Sequence, residues 1–206
     1  MLVKYRMTEE PATIGPDQRL CEAAHKMKAG GFRRLPVISE GKLVGIVTDR
    51  DIRQHRGHLE HTKVKQAMTE GPLIIATPEM TLEEVALIML EQQIGGLPVL
   101  ADGLLVGIIT ASDVMQAFLD MMGASKGSST RIDFILEGEE HGIVEASRIV
   151  ARDGGKILGI GTYRDKPGEN PICYLRIIDG SADKIAKALR AGGFDVLGVH
   201  RIGGNT

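Results

Sequence analysis

Apolar and polar positions alternate in the same order twice along the first 120 residues. In RLCEAAHKMKAGG, Leu20, Ala23, Ala24 and Met27 recur at helical spacing, so a helix is predicted from about residue 19. Asp17 is expected to cap it, because its carboxylate can accept from free amides of the first turn. Gly30 and Gly31 are expected to stop it. LPVI (35–38) and LVGIV (43–47) read as short buried strands about an EGK turn, with a second helix from Thr48. The order then returns. MTEGPLII (68–75) echoes MTEEPATI (7–14), and TLEEVALIMLEQQIGG carries Leu82, Val85, Ala86, Met89 and Leu90 on a helix. GLPVL (96–100) and LLVGII (104–109) flank ADG, and SDVMQAFLDMM opens a further helix.

The two Met-Thr pairs lie 61 residues apart, whereas the LPV and GIxT runs lie 62 apart, so one residue is gained between them. Agreement over four separate elements marks an internal repeat. Each half has little core of its own, so pairing of the halves is expected to bury the apolar hairpins and helix faces.

After GASKGSST (123–130) the pattern changes. Strand RIDFILEG (131–138), helix 142–154, strand KILGIGTY (156–163), strand PICYLRII (171–178), helix 181–193 and strand 194–200 follow. The order βαββαβ predicts a four-stranded antiparallel sheet covered on one side by two helices. The fold class is therefore α/β in the broad α+β sense. Its expected divisions are 7–60, 64–122, a linker at 123–130, and 131–203.

Composition narrows the function classes. A formal net charge of -2 lacks the basic footprint of a nucleic-acid binder, and the absence of Trp argues against stacking platforms for single strands. No apolar run approaches the roughly 20 residues that span a bilayer. The opening MLVKYRMTEEP lacks a signal-peptide core. Cys21 and Cys173, alone and far apart, suit a cytoplasmic protein and are expected to be buried structural thiols.

The repeated MTxxP, LPVxxxGxxxGIxT and TxxD runs over residues 7 to 120 resemble a tandem CBS pair, or Bateman module. The resemblance implies a sensor of adenosyl compounds (AMP, ADP, ATP or S-adenosylmethionine), without a cofactor or catalysis of its own. The third part resembles an ACT domain by element order and by its EEHGIVEA helix entry. The whole chain is similar to the small bacterial proteins related to the acetoin-utilisation accessory family. This implies a homodimer acting on a target protein, with no nucleic acid or membrane partner.

Residue chemistry leaves two readings of the repeated GIVTDRD and GIITASD. Thr48 with Asp51, and Thr110 with Asp113, can each cap a helix. They can also hold a ligand: the threonine donating to a phosphate or sugar oxygen, the aspartate accepting from a ribose diol. Gly45 and Gly107 would allow close approach to the backbone. Arg33 and Arg34 precede the first LPV, where the second copy has Gly95 and Gly96. Paired N–H donors suit phosphate, so the two sites should differ in affinity or preferred phosphate number; a solvated strand edge is the bland alternative. Arg50 and Arg53 read mainly as a solvated basic face.

The resemblance further implies purine walls from Pro11, Thr13 and Ile14 in one half, and from Pro72, Leu73 and Ile75 in the other; core packing is an equal reading for Ile14 and Ile75. Thr8 and Thr69 are phosphate candidates or turn formers. In the third part, Glu139, Glu140, His141 and Gly142 could receive an amino acid at the helix start; a purely dimerising or signal-passing role is an equal reading. His55, His58 and His61 fall at three-residue spacing, but Gly57 interrupts them and no cysteine or acidic cluster completes a metal set. Walker A, GxSxG and CxxC signatures are absent. Three functions follow: a nucleotide-responsive regulator, a scaffold without small-molecule binding, or an amino-acid sensor led by the ACT-like part.

Overall fold

The computed structural model describes residues 1–124, 127–136 and 142–203. By their contacts they divide into Met1–Val114 and Met115–Thr206, a division that falls within one helix, α4 (Ala111–Met121).

In the N-terminal unit the first repeat holds β1 (Thr8–Glu9), α1 (Leu20–Gly30), β2 (Arg34–Ser39), β3 (Lys42–Thr48) and α2 (Asp49–Gln54). The second holds α3 (Leu82–Glu91), β4 (Gly96–Ala101) and β5 (Leu104–Thr110), and ends in the start of α4. Both hairpins share one register: Leu35 faces Val47 and Leu97 faces Ile109, with a shift after Val37 and after Val99. Apolar residues that alternate along these strands turn one face to the helices, which is why Leu35, Val37, Leu97 and Val99 are all fully buried.

The repeats exchange their opening segments. β1 leaves its own half and pairs antiparallel with β5, Thr8 opposite Ile108 and Glu9 opposite Gly107. In return Thr69 pairs with Ile46 of β3 through two backbone hydrogen bonds of 3.2 and 2.9 Å. The turns before them behave alike: Val3 and Lys4 donate to the carbonyls of Met80 and Pro78, and Val64 and Lys65 donate to those of Gln18 and Pro16. Contacts that recur with the partners interchanged mark a two-fold relation, here between halves of one chain. Val64 completes the first repeat's core beside Leu20, Leu35 and Val47. Burying one such valine contributes about 1.5–3 kcal/mol, so the halves depend on each other.

This exchange also corrects the expected helix cap. α1 starts at Leu20, and Glu22 Oε1 accepts from the Arg19 N–H at 2.8 Å. Asp17 is held away because the Pro16 and Gln18 carbonyls receive the incoming segment. It pairs instead with Lys63 and Lys65 at 2.9 and 3.0 Å. Hydrogen bonds from Lys63, then Lys65, lower its carboxyl pKa to about 2. A depressed carboxyl adds stability above its ordinary range and loses it as the pH falls through about 2; on this exposed site the gain is small. A carbon-detected titration of Asp17 should show the low midpoint, and Lys63→Ala with Lys65→Ala should return it towards 3.8. An ordinary midpoint in the parent chain would refute the pairing.

The C-terminal unit holds β6 (Ser129–Ile135), α5 (Gly142–Arg152), β7 (Lys156–Tyr163), β8 (Ile172–Ile178), α6 (Ala182–Ala191) and β9 (Val196–Ile202). The sheet order is β7-β8-β6-β9, antiparallel throughout. This is the expected ferredoxin-like βαββαβ arrangement. Ile132, Phe134, Leu175 and Ile177 meet Ile149, Val150, Ile185 and Leu189 in its core. Cys173 joins that core and burial pushes its thiol up to about 11. Cys21, by contrast, is only half-buried, on the rim of α1.

Candidate functional site

Two clefts follow from the exchange, and each draws on both repeats. The segment after β1 runs from β5, where Glu10 donates to Val106, to β2, where Ile14 donates to Pro36 and its carbonyl accepts from Ile38. Pro11 and Thr13 therefore lie between the strand that ends in Thr110 and the strand that begins at Arg34. The counterpart segment runs from β3, at Thr69, to β4, where Ala76 donates to Pro98 and accepts from Leu100. Pro72, Leu73 and Ile75 thus lie between the strand that ends in Thr48 and the strand that begins at Gly96.

Within these segments the walls differ from expectation. Ile14 is 2% exposed and its side chain is core, so it cannot face a ligand. Its counterpart is Ala76 and not Ile75: both make the parallel bridge, to Val37 and Val99. Ile74 and Ile75 are each 37% exposed, an apolar pair in the second segment that has only Ala12 and Thr13 opposite it. Ile74 was not among the expected residues. The signal for it lay in the two offsets, since 62 added to Ile14 gives Ala76 and leaves Ile74 and Ile75 outside the core register. Thr8 and Thr69 are exposed in side chain, with backbone committed to the crossing pairs.

The glycines of the repeated motif serve the exchange. A Cβ on Gly45 would lie 2.6 Å from Met68 Sδ and 2.9 Å from the Thr69 carbonyl oxygen. On Gly107 it would lie 2.6 Å from Met7 Sδ and 3.1 Å from the Thr8 carbonyl oxygen. The close approach expected at both positions is made by the other repeat's Met-Thr pair.

Both Thr–Asp pairs have the capping geometry. The Thr48 N–H and hydroxyl each donate to Asp51 Oδ2 at 2.7 Å. At the second pair the distances to Asp113 Oδ2 are 2.8 and 2.6 Å, and the Asp113 N–H reaches Thr110 Oγ1 at 3.4 Å. Thr81 and Glu84 make the same arrangement at the start of α3, where no cleft residue is involved. The carboxylate half of the cap is thus present at both pairs, and of the two only Thr110 also receives the reciprocal bond from the helix backbone. The carboxylate half also pins one oxygen and, among the described residues, leaves Oδ1 of each aspartate without a donor. The threonine hydroxyl hydrogens are already committed, so these oxygens can only accept from a ligand.

Arginine breaks the two-fold relation. Arg33 is exposed and its carbonyl accepts from Asp49, as the Gly95 carbonyl accepts from Ala111. Arg34 is half-buried and reaches across to the second repeat: a Cβ on Gly95 would lie 2.9 Å from its Nη2, and one on Gly96 would collide with Nη1. Burial, then the like charge of Arg33, holds the Arg34 guanidinium below its usual range, while Asp113 opposes. Arg34 therefore lies between the repeats: its backbone faces Thr48, and its guanidinium lies over Gly96, which faces Thr110. Arg53 is occupied by Asp49 at 3.0 Å on the exposed face of α2.

Elsewhere, His55 bonds the Asp51 carbonyl and His58 and His61 are exposed on turns. Among the described residues no group of three metal-ligating side chains comes together. Glu139, Glu140 and His141 lie outside the described residues; Gly142 is buried at the start of α5. Two cavities of the C-terminal unit lie apart from Gly142. One of about 230 Å³ is lined by Ser129, Asp179, Gly180 and Arg201, and one of about 590 Å³ lies between α5 and α6.

A family model for the CBS domain matches residues 3–58 and again 64–120, more than half of the chain. The chain belongs to the CBS-domain family. The CBS domain-containing protein YhcV of Bacillus subtilis is 36% identical over 130 residues, which is 62% of this chain and 91% of that protein. The CBS domain pair of MJ0100, solved with 5′-methylthioadenosine and S-adenosyl-L-methionine, has a TM-score of 0.55 and 31% identity over 61% of this chain and 98% of that one. CBSX2 in complex with AMP has a TM-score of 0.52 and 29% identity, covering 57% and 96%. A candidate acetoin utilization protein (AcuB) from Vibrio cholerae gives 0.53 and 32%, covering 61% and 98%. These matches are to CBS regulatory modules and not to catalytic domains. The clefts described above are those of a CBS pair whose relatives bind adenosyl ligands. Among the described residues, no helix of this CBS protein is long and apolar enough to cross a membrane.

Proposed function

We propose that this CBS protein senses adenosyl compounds in the two crosswise clefts and passes their occupancy through the ACT-like C-terminal unit to a target protein. The observation that carries the reading is the pair of pinned aspartates, each with one carboxylate oxygen open at the end of a cleft strand. Oδ1 of Asp113 and of Asp51 accepts from the ribose hydroxyls. Pro11 and Thr13 flank one purine; Pro72, Leu73 and Ile75, with Ile74, flank the other. Arg33 and Arg34 attract a phosphate. The narrower kinship with acetoin-utilisation proteins belongs to the same proposal, supported by the AcuB likeness. Assembly as a homodimer is supported by Leu87 and Leu90, 58% and 75% exposed on α3 where α1 has His25 and Lys28.

Calorimetric titration of ligand-free protein with AMP, ADP, ATP and S-adenosylmethionine tests the reading. Saturable binding is expected, weakened about 10- to 100-fold by Asp113→Ala or Asp51→Ala, since a hydrogen bond to a charged group is worth about 1.5–3 kcal/mol. The same substitutions remove a helix cap and should cost about 1 kcal/mol of stability, so folding of each variant is checked separately. Absence of binding by all four compounds would leave the scaffold reading.

A further inference from the structure

The C-terminal unit buries a guanidinium that its own residues do not balance. Arg176 is 2% exposed on β8 and stands opposite Arg131 of β6. Asp133, the buried carboxylate beside them, is held by Arg131 at 2.7 Å and faces His200 at 3.3 Å. Among the described residues Arg176 makes a single hydrogen bond, from Nη1 to Ser129 Oγ at 3.1 Å, and its buried Nε makes none. A buried guanidinium left in this state is costly, and such a group points to a missing partner.

Ser129 connects this charge to a cavity. Its oxygen accepts from Arg176, so its own hydrogen must be given elsewhere, and no described residue takes it. Ser129 is 5% exposed and lines the cavity of about 230 Å³ at the end of the sheet. The turn from β8 to α6 forms another wall, where the N–H groups of Asp179, Gly180 and Ala182 find no acceptor among the described residues. Ala182 opens α6, and a helix start favours negative charge. Arg201 closes the third side, with one N–H on Asp183 at 2.8 Å and the rest of its fork free. Two carboxylates oppose an anion here. Asp183 is neutralised by Arg201, whereas Asp179 can only accept, and so requires a ligand oxygen that carries a proton. The cavity is smaller than the roughly 300–1,000 Å³ of sites for larger ligands. One small oxyanion fits it better than a nucleotide.

We infer that this cavity binds a protonated tetrahedral oxyanion of the phosphate class, with Arg176 acting through Ser129 as a positioning residue. Ser129 donates to one phosphate oxygen, Arg201 and the turn amides donate to others, and the phosphate hydroxyl donates to Asp179. The site lies wholly in the C-terminal unit, apart from Gly142, and does not depend on the adenosyl-sensing reading. It gives that unit an input of its own.

The test titrates the full chain with inorganic phosphate at constant ionic strength, with sulfate and glycerol phosphate in parallel, and follows amide chemical shifts. Saturable shifts are expected at Ser129, Gly180 and Ala182, in the millimolar range or tighter. Sulfate, which has no proton to give Asp179, should bind at least about 10-fold more weakly. Asp179→Asn should close most of that gap, because the amide can donate to sulfate. Ser129→Ala should weaken phosphate about 10- to 100-fold. Arg176→Met should do the same, and the double variant should lose little more. Should Arg176→Met fail to fold, Ser129→Ala and Asp179→Asn decide. Glycerol phosphate binding as tightly as phosphate would mark a phosphate monoester as the source of the group, and its exclusion would mark the free anion. Shifts that never saturate, equal response to sulfate and phosphate, or phosphate binding untouched by Ser129→Ala would each overturn the assignment.

Discussion

Phe134→Ala is expected to destabilise the C-terminal unit by about 3–5 kcal/mol, the usual cost of emptying a large aromatic site in a packed core. Phe134 is fully buried, and its ring meets that of Phe194 edge-on at 5.1 Å and 73°. Such pairs add about 0.5–1.5 kcal/mol beyond the buried area. Apart from Phe194, the described residues of that core are aliphatic or Cys173. Urea denaturation followed by hydrogen exchange of residues 131–135 and 172–178 measures the loss. A change below about 1 kcal/mol would show that the helices close over the gap and that this ring pair does not organise the sheet.

Gly45→Val should destabilise the N-terminal unit by about 2–4 kcal/mol, from overpacking and the strain on two backbone hydrogen bonds. The direction separates two roles for the glycine. Its backbone is not left-handed, and valine favours extended strands, so a glycine kept only for local conformation would tolerate the change or gain from it. The steric role predicts a loss, because the Thr69 carbonyl oxygen stands where the new side chain begins. Met68→Ala should rescue only part of the loss, since it removes the flexible sulfur and not the backbone oxygen. Hydrogen exchange at Ile46 and Thr69 should quicken together. Unchanged stability would sink the exchanged pairing, and with it the crosswise clefts.

The consequences for ligand binding run through that same pairing. Segments that swap between the halves make each cleft a property of the whole module. Anything that separates the halves should abolish both clefts together.

Local patterning by itself determined the repeat, the hairpins, the helix starts at Thr48 and Thr110, and the βαββαβ order of the third part. These depend on near neighbours: strand alternation, helical spacing, and a cap three residues from its partner, as Thr48 and Asp51 show. The residue types of the clefts were legible for the same reason. Their grouping was not. That Asp17 binds Lys63 and Lys65 instead of capping α1, that Ile14 is core while Ile74 and Ile75 stand exposed, and that Gly45 accommodates Met68 all follow from contacts between residues far apart in the chain. Only the tertiary structure decided that Arg34 lies over Gly95 and Gly96, because a long side chain at a strand start can turn to either repeat, and the direction is set by which space the other half leaves open.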